Sequence, residues 1–113
     1  MDCIFCRIAK GEIPAQLVRQ DDETVAFRDL NPMAPVHVLV IPRRHIASVN
    51  DVTAQDRDVM GMLLVAAREI ALAENIAESG YRLVMNTGSD AGQTVSHVHL
   101  HVLGGRDMRW PPG

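Results

Sequence analysis

His97-Val98-His99-Leu100-His101-Val102-Leu103, closed by Gly104, Gly105 and Arg106, is the stretch from which the rest of the chain can be read. Histidines alternate here with aliphatic residues. In an extended strand successive side chains point to opposite faces, so His97, His99 and His101 share one face while Val98, Leu100 and Val102 share the other. The aliphatic face packs into a core. Imidazoles are poor core material, so the histidine face is expected to look into a cleft, onto a metal or at a ligand. A single strand histidine is usually a satisfied polar residue, but here three of the chain's five fall in register. They are neither consecutive nor terminal, which argues against an affinity tag.

Working outward, 87–94 reads as a loop holding Gly88 and Gly92, and 81–86 as a strand. Before them lies the longest element. Thr53 with Asp56 makes a capping-box-like start, and Val59, Leu63, Ala66, Ile70, Ala73 and Ala77 follow at steps of three and four. That spacing predicts an amphipathic helix of about six turns, ended by Ser79-Gly80. The nearly continuous apolar run 36–41 predicts a strand buried on both faces, stopped by Pro42 and Arg43-Arg44. Asn31-Pro32 and Ala34-Pro35 force a loop. Residues 16–20 and 24–29 predict a hairpin around the polar cluster Asp21-Asp22-Glu23. Ile4, Phe5 and Ile8 predict a short helix within 1–12, broken by Gly11 and stopped at Ile13-Pro14. Arg109-Trp110-Pro111-Pro112-Gly113 excludes regular structure. The order is short helix, hairpin, strand, long helix, two strands. It predicts one α+β domain over 1–113, with a mainly antiparallel five-stranded sheet and one long and one short helix.

At 113 residues the chain suffices for one core and not for two. A net charge of −3 leaves no basic stripe, which argues against nucleic-acid binding by phosphate neutralisation. No apolar run reaches membrane-span length, and no signal-peptide pattern opens the chain, so no membrane partner is expected. Two cysteines three positions apart are too few for a disulfide framework, and a reducing, cytoplasmic setting is expected.

Neutral imidazole is a nucleophile near pH 7 without a base to remove a proton first. Attack on phosphorus gives an N–P bond that water cleaves, splitting one phosphoryl or nucleotidyl transfer into two easier steps. One ring nitrogen must then be held as a donor so that the other keeps its lone pair outward, and a neighbour must stabilise the phosphate oxygens. His99, central in the cluster, is the natural nucleophile, with His101 one strand step along as the donor. The preceding loop offers amides at Gly92 and Gln93 and the Thr94 hydroxyl. The plainer alternative is an ordinary glycine-containing connection.

His-Val-His-Leu-His-Val-Leu resembles the histidine-triad pattern, and the resemblance runs through the whole chain. Ile4-Phe5, Gly11-Glu12-Ile13-Pro14-Ala15, Ala26-Phe27-Arg28-Asp29, Pro32 with Ala34-Pro35, and His37 through Ile41-Pro42 are all similar to one branch of that family. So are Gly92-Gln93, the closing Gly-Gly-Arg, and Trp110-Pro111-Pro112-Gly113. The branch is the histidine-triad nucleotide-binding proteins, the Hint group.

The resemblance implies hydrolysis of purine nucleoside phosphoramidates with no cofactor needed for the chemistry. His99 would attack the α-phosphorus and become nucleotidylated, His101 would contact the phosphate, and Thr94 would assist the departing amine, with His97 completing the triad. Relatives commonly carry serine at the Thr94 position and a bulkier aromatic residue at Ser96. Asp29 would bind the ribose hydroxyls. Ile4, Phe5, Ile8, Phe27, Leu30 and Leu39 would wall the base pocket, with Asn86 and His37 close to the nucleotide. Family members form homodimers through the long helix and a neighbouring strand, continuing the sheet across both subunits. Met60 and Met62 beside the core stripe are compatible with that, and Trp110 would reach the partner's site. From the residues alone, Phe27, Leu30 and Leu39 are equally plain core, and Asp29 is equally a turn initiator.

Cys3 and Cys6 cannot by themselves complete a four-ligand zinc site. His45 and His97 could do so, as in bacterial triad proteins that carry this cysteine pair; free, partly buried thiols are the alternative. A thioredoxin-like pair is disfavoured, because no βαβ context surrounds it. Competing functions are a dinucleoside polyphosphate hydrolase or nucleotidyl transferase, a nucleotide-binding adaptor, and a metalloenzyme using His97, His99 and His101 as ligands.

Overall fold

A computed structural model describes residues 3–113. The expected helix at Met1 and Asp2 lies outside the described residues. Helix α1 (Ile4–Ala9) is capped by Cys3, whose Sγ accepts the Cys6 amide. Strands β1 (Leu17–Gln20) and β2 (Thr24–Arg28) form the expected antiparallel hairpin. No Asn-Gly turn is needed. Asp21 Oδ1 accepts the amides of Glu23 and Thr24 at 2.8 and 2.7 Å, so the carboxylate does the turning.

Strand β3 (Val36–Pro42) pairs antiparallel with β2, with Phe27 opposite Leu39. It is buried on both faces as its composition predicts: Val38 and Val40 enter one apolar cluster, Leu39 and Ile41 the other. Strands β4 (Tyr81–Val84) and β5 (Leu100–Gly104) complete a five-stranded sheet in the order β1-β2-β3-β5-β4, antiparallel throughout. Strand β4 ends two residues short of the expected 81–86.

The histidine stretch is strand only from Leu100, not from His97. Its partner strand stops at Pro42, which has no N–H to continue the ladder. The Val98 amide turns to the Ile46 carbonyl at 2.7 Å instead. The alternation survives this bend, because Val98, Leu100 and Val102 all enter the cluster under the long helix.

That helix, α2 (Arg57–Ala73), is shorter than expected. Thr53–Asp56 does form a capping box, but around a single 3₁₀ turn, Ala54–Asp56. At the other end Asn75 takes a left-handed conformation, φ 61°. Its amide reaches the Leu72 carbonyl and the Ile76 amide reaches Ala71, a Schellman closure that stops the helix before Ser79-Gly80. Ala73 and Ala77, expected in the core, are therefore exposed, while Ala67, Ala71 and Ile76 are buried. A bidentate Arg28–Glu74 pair at 2.8 and 3.1 Å ties the helix end to β2. Ile76 lies on β5 where only glycine fits: a Cβ on Gly104 would stand 2.6 Å from its Cδ1.

The result is two layers. Helix α2 covers one face of the sheet. On the other face, α1 and the segment after it roof the histidine side.

Candidate active site

Between the sheet and α1 lies a cavity of about 270 Å³. Its lining includes Ile4, Phe5, Ile8, Phe27, Asp29, Leu30, Leu39, Thr94, His99 and His101, ten of the residues expected at a nucleotide site. The core alternative for Phe27 and Leu39 is also satisfied: both are buried and both line the cavity. Leu30 is 99% exposed and stands at the mouth. Helix α1 places Phe5 edge-on to Phe27 and His99, with ring centroids 5.4 and 5.2 Å away. The cavity also uses Ile13, Pro14, Ala15, Gln16, Arg28 and Val95, to which no chemistry was assigned. The signal was present in Gly11, whose positive φ of 76° turns the chain back so that Ile13 and Pro14 reach the roof.

Four of the five histidines have partners that locate the proton. His99 Nδ1 lies 2.7 Å from the His97 carbonyl, which can only accept, so Nδ1 carries the hydrogen and Nε2 keeps its lone pair. His37 Nδ1 accepts the Met33 amide at 3.0 Å, so its proton is on Nε2. That N–H faces His101 Nδ1 at 2.9 Å and Asp29 Oδ2 at 3.4 Å. His101 Nδ1 is thus an acceptor, and its own proton sits on Nε2. One ring therefore presents a lone pair and its neighbour a donor, their centroids 5.0 Å apart. Burial and the nearby His99 and His37 push the His101 pKa down to about 4, with Asp29 opposing. Burial likewise lowers that of His37 against the pull of Asp29. Neutral rings are what this arrangement of donors and acceptors requires.

His97 takes no place in the cavity. It is fully buried, and Nε2 donates to the Pro42 carbonyl at 2.8 Å. Its Nδ1 lone pair points away from His99 to Cys3 Sγ (3.3 Å), Cys6 Sγ (3.5 Å) and His45 Nδ1 (3.2 Å). Cys6 Sγ is 3.3 Å from His45 Nδ1. A tetrahedral zinc with ordinary bond lengths separates two nitrogens by about 3.3 Å and a nitrogen from a sulfur by about 3.6 Å. The donor set and its spacing fit that ion. His45 Nε2 is buried without a protein partner, so nothing in the chain dictates a proton on Nδ1. Burial and the neighbouring Cys3 raise the Cys6 pKa, the penalty a bound cation would offset.

The three triad histidines do not converge as metal ligands. Among the described residues the groups with ligand spacing are Cys3, Cys6, His45 and His97, and separately Asp29, His37 and His101. In the second group the His37 nitrogen facing the others carries a proton, which makes it a hydrogen-bond relay rather than a metal seat.

Besides His97, four residues expected around a nucleotide do not line this cavity: His37, which stands behind His101, and Asn86, Gly92 and Gln93. The amides of Gly92 and Gln93, expected to face a phosphate, bond the Ser89 and Gly88 carbonyls. Gln93's side chain accepts the Gly88 amide and donates to Ala47 and Val95, so this residue braces the loop. Asn86 is half-buried outside the cavity lining. Trp110, expected at the partner's site and not at this chain's own, is 82% exposed on the tail.

The HIT domain family matches residues 10–108. An uncharacterised HIT-like protein of Synechococcus elongatus is 51% identical over 99% of this chain and 97% of its own length. The purine nucleoside phosphoramidase of Escherichia coli is 49% identical over 95% of this chain and 90% of its own. Among solved structures, a HIT family hydrolase from Legionella pneumophila superposes with a TM-score of 0.98 at 53% identity, covering 99% of this chain and all of that one. The histidine triad nucleotide-binding protein of Candida albicans gives 0.86 at 33%, covering 95% and 77%.

Proposed function

The chain belongs to the HIT domain family, and from that premise we propose that it is a purine nucleoside phosphoramidase, hydrolysing the P–N bond of adenosine or guanosine 5′-monophosphoramidates. The observation that carries the reading is the pair of opposed tautomers in one cavity: a lone pair on His99 Nε2 beside a donor on His101 Nε2.

His99 Nε2 attacks the α-phosphorus, forming an N–P bond as the P–N bond to the amine breaks. The amine departs with a proton drawn from solvent through the exposed Thr94 hydroxyl, and the water that later attacks phosphorus returns one proton to solvent. His101 Nε2–H donates to the phosphate oxygens as charge builds on them. Water then cleaves the nucleotidyl-histidine, releasing the nucleoside monophosphate and restoring His99. Asp29 holds the ribose, and the apolar wall from Ile4 to Leu39 takes the base.

The Cys3, Cys6, His45 and His97 set would hold a structural zinc, which would supply cross-linking of α1 to the sheet and no chemical step. A homodimer is supported by the outer face of α2, where Leu64, Val65 and Leu72 are exposed, and by the edge strand β4, which exposes Leu83. The exposed Trp110 would then serve the partner's site. No helix among the described residues is long and apolar enough to cross a membrane. Free Cys3 and Cys6 favour a cytoplasmic setting.

The test compares adenosine 5′-phosphoramidate with diadenosine polyphosphates, with and without chelator, using wild type and His99→Asn. Phosphoramidate hydrolysis that survives chelator and vanishes in the variant supports the reading. Preference for the polyphosphates moves the chain to the alternative hydrolase, chelator-sensitive chemistry to a metalloenzyme, and nucleotide binding without turnover to an adaptor.

A further inference from the structure

The loop between β2 and β3 carries Asp29 at one end and reaches His37 at the other, yet it has little apolar packing to hold it. Leu30 is 99% exposed and Met33 64%. Its position depends on polar clamps: the Asp29 amide on the His37 carbonyl (3.0 Å) and the Asn31 amide on Asp29 Oδ1 (2.8 Å). A third clamp comes from outside the loop. Arg106, just beyond the end of β5, donates Nε to the Met33 carbonyl at 3.1 Å and Nη1 to Asp107 O at 3.0 Å. Beside it Gly105 lies against the same loop, where a Cβ would stand 2.9 Å from Pro35.

Met33 is the residue whose amide sets the His37 proton. We propose that Arg106 is a positioning residue for the reaction: by clamping Met33 it fixes the tautomer of His37 and, through His37, that of His101. The inference rests on the phosphoramidase reading for its kinetic consequence, though not for its structural one.

Without the clamp the Met33 amide is released from His37 Nδ1, which is then open to a proton. A His37 with its hydrogen on Nδ1 turns a lone pair toward His101 Nδ1. His101 must then place its own hydrogen on Nδ1, leaving Nε2 as an acceptor. The group facing the phosphate oxygens changes from donor to repulsive lone pair. Two protons move and no charge is gained or lost. Arg106 touches neither substrate nor reacting atoms.

The test is a pair of exposed-site variants, Arg106→Ala and Arg106→Gln, read by ¹⁵N spectra of the histidine rings and by steady-state kinetics. Wild type is expected to show His37 and His101 as Nε2–H tautomers. Both variants are expected to show mixed tautomers at these two rings with His99 unchanged. With adenosine 5′-phosphoramidate, kcat should fall about ten-fold, as for weakening one oxyanion donor, with KM held within about two-fold. A purely structural role would lower the melting temperature and leave the tautomers alone, which overturns the proposal. So would unchanged kcat in variants whose tautomers have moved. If the wild type hydrolyses no phosphoramidate, the proposed function fails, and the ring spectra still decide whether Arg106 governs the relay.

Discussion

His99 hangs from the backbone of His97, Nδ1 to carbonyl oxygen at 2.7 Å, while the ring of His97 faces the cysteine pair. One residue thus orients its neighbour's reactive nitrogen with its main chain and belongs with its side chain to a different cluster. Replacing His99 removes the lone pair but not the apolar wall. His99→Asn is expected to lower phosphoramidate turnover by at least about 10³-fold, with AMP affinity by calorimetry within about three-fold. Turnover retained in this variant would refute the nucleotidyl-histidine mechanism.

The cysteine–histidine cluster predicts one zinc per chain by elemental analysis after purification without chelators. Cys6→Ser should lose the metal and melt several degrees lower, since removing a structural site of this kind typically costs more than about 2 kcal/mol. A metal-free wild type with an unchanged melting curve on zinc addition would leave the four side chains as plain buried thiols and imidazoles.

Stability is expected to fall as the pH drops from about 6.5 toward 4. The unfolded chain's histidines take up protons near 6.5, whereas burial holds His101 unprotonated down to about 4 in the fold and lowers His37 and His97 in the same direction. Protons therefore favour the unfolded state across that window, and the stabilisation is complete above it. Thermal melts between pH 7.5 and 4.5 measure this. His101→Asn should flatten the slope, and an equal slope in that variant would count against the His101 contribution.

The exposed apolar face of α2 predicts a dimer, with a mass near twice 12.4 kDa by light scattering. Leu64→Glu places a charge in that face and should yield monomers. A wild type that is monomeric at micromolar concentration would remove both the dimer and the partner role of Trp110.

Gly104→Ala should destabilise the fold by about 1–3 kcal/mol, because the new methyl overlaps Ile76, whose own backbone ends the Schellman closure of α2. Urea melts measure the loss. Ile76→Ala in the same background should recover part of it, and strictly additive losses would show that the two residues do not press on one another.

Much of this was legible locally. Period-two alternation separated His97, His99 and His101 from Val98, Leu100 and Val102, and steps of three and four found α2 with its Val59, Leu63, Ala66 and Ile70 stripe. The apolar run of β3 correctly announced burial on both faces. The helix end was misplaced because Asn75, not Ser79-Gly80, takes the left-handed turn, and an asparagine in a polar stretch carries little advance signal. Gly92 and Gln93 looked like free amides because a loop that turns back onto its own carbonyls, Ser89 and Gly88, leaves no mark in spacing.

The sequence by itself determined the fold class, the two faces of the histidine stretch and ten of the residues that line the cavity, since these follow from local periodicity and from family resemblance. Which nitrogen of each histidine holds the proton was decided only by the tertiary structure. The partners that settle it are the Pro42 carbonyl for His97, His37 for His101 and the Met33 amide for His37. The first two lie 55 and 64 positions away along the chain: His37 meets His101 where β3 runs antiparallel to β5, and Pro42 meets His97 just beyond the last paired residues, Val40 and Leu100. A tautomer is set by whatever polar group arrives from across the sheet, and residue order alone does not encode that arrival.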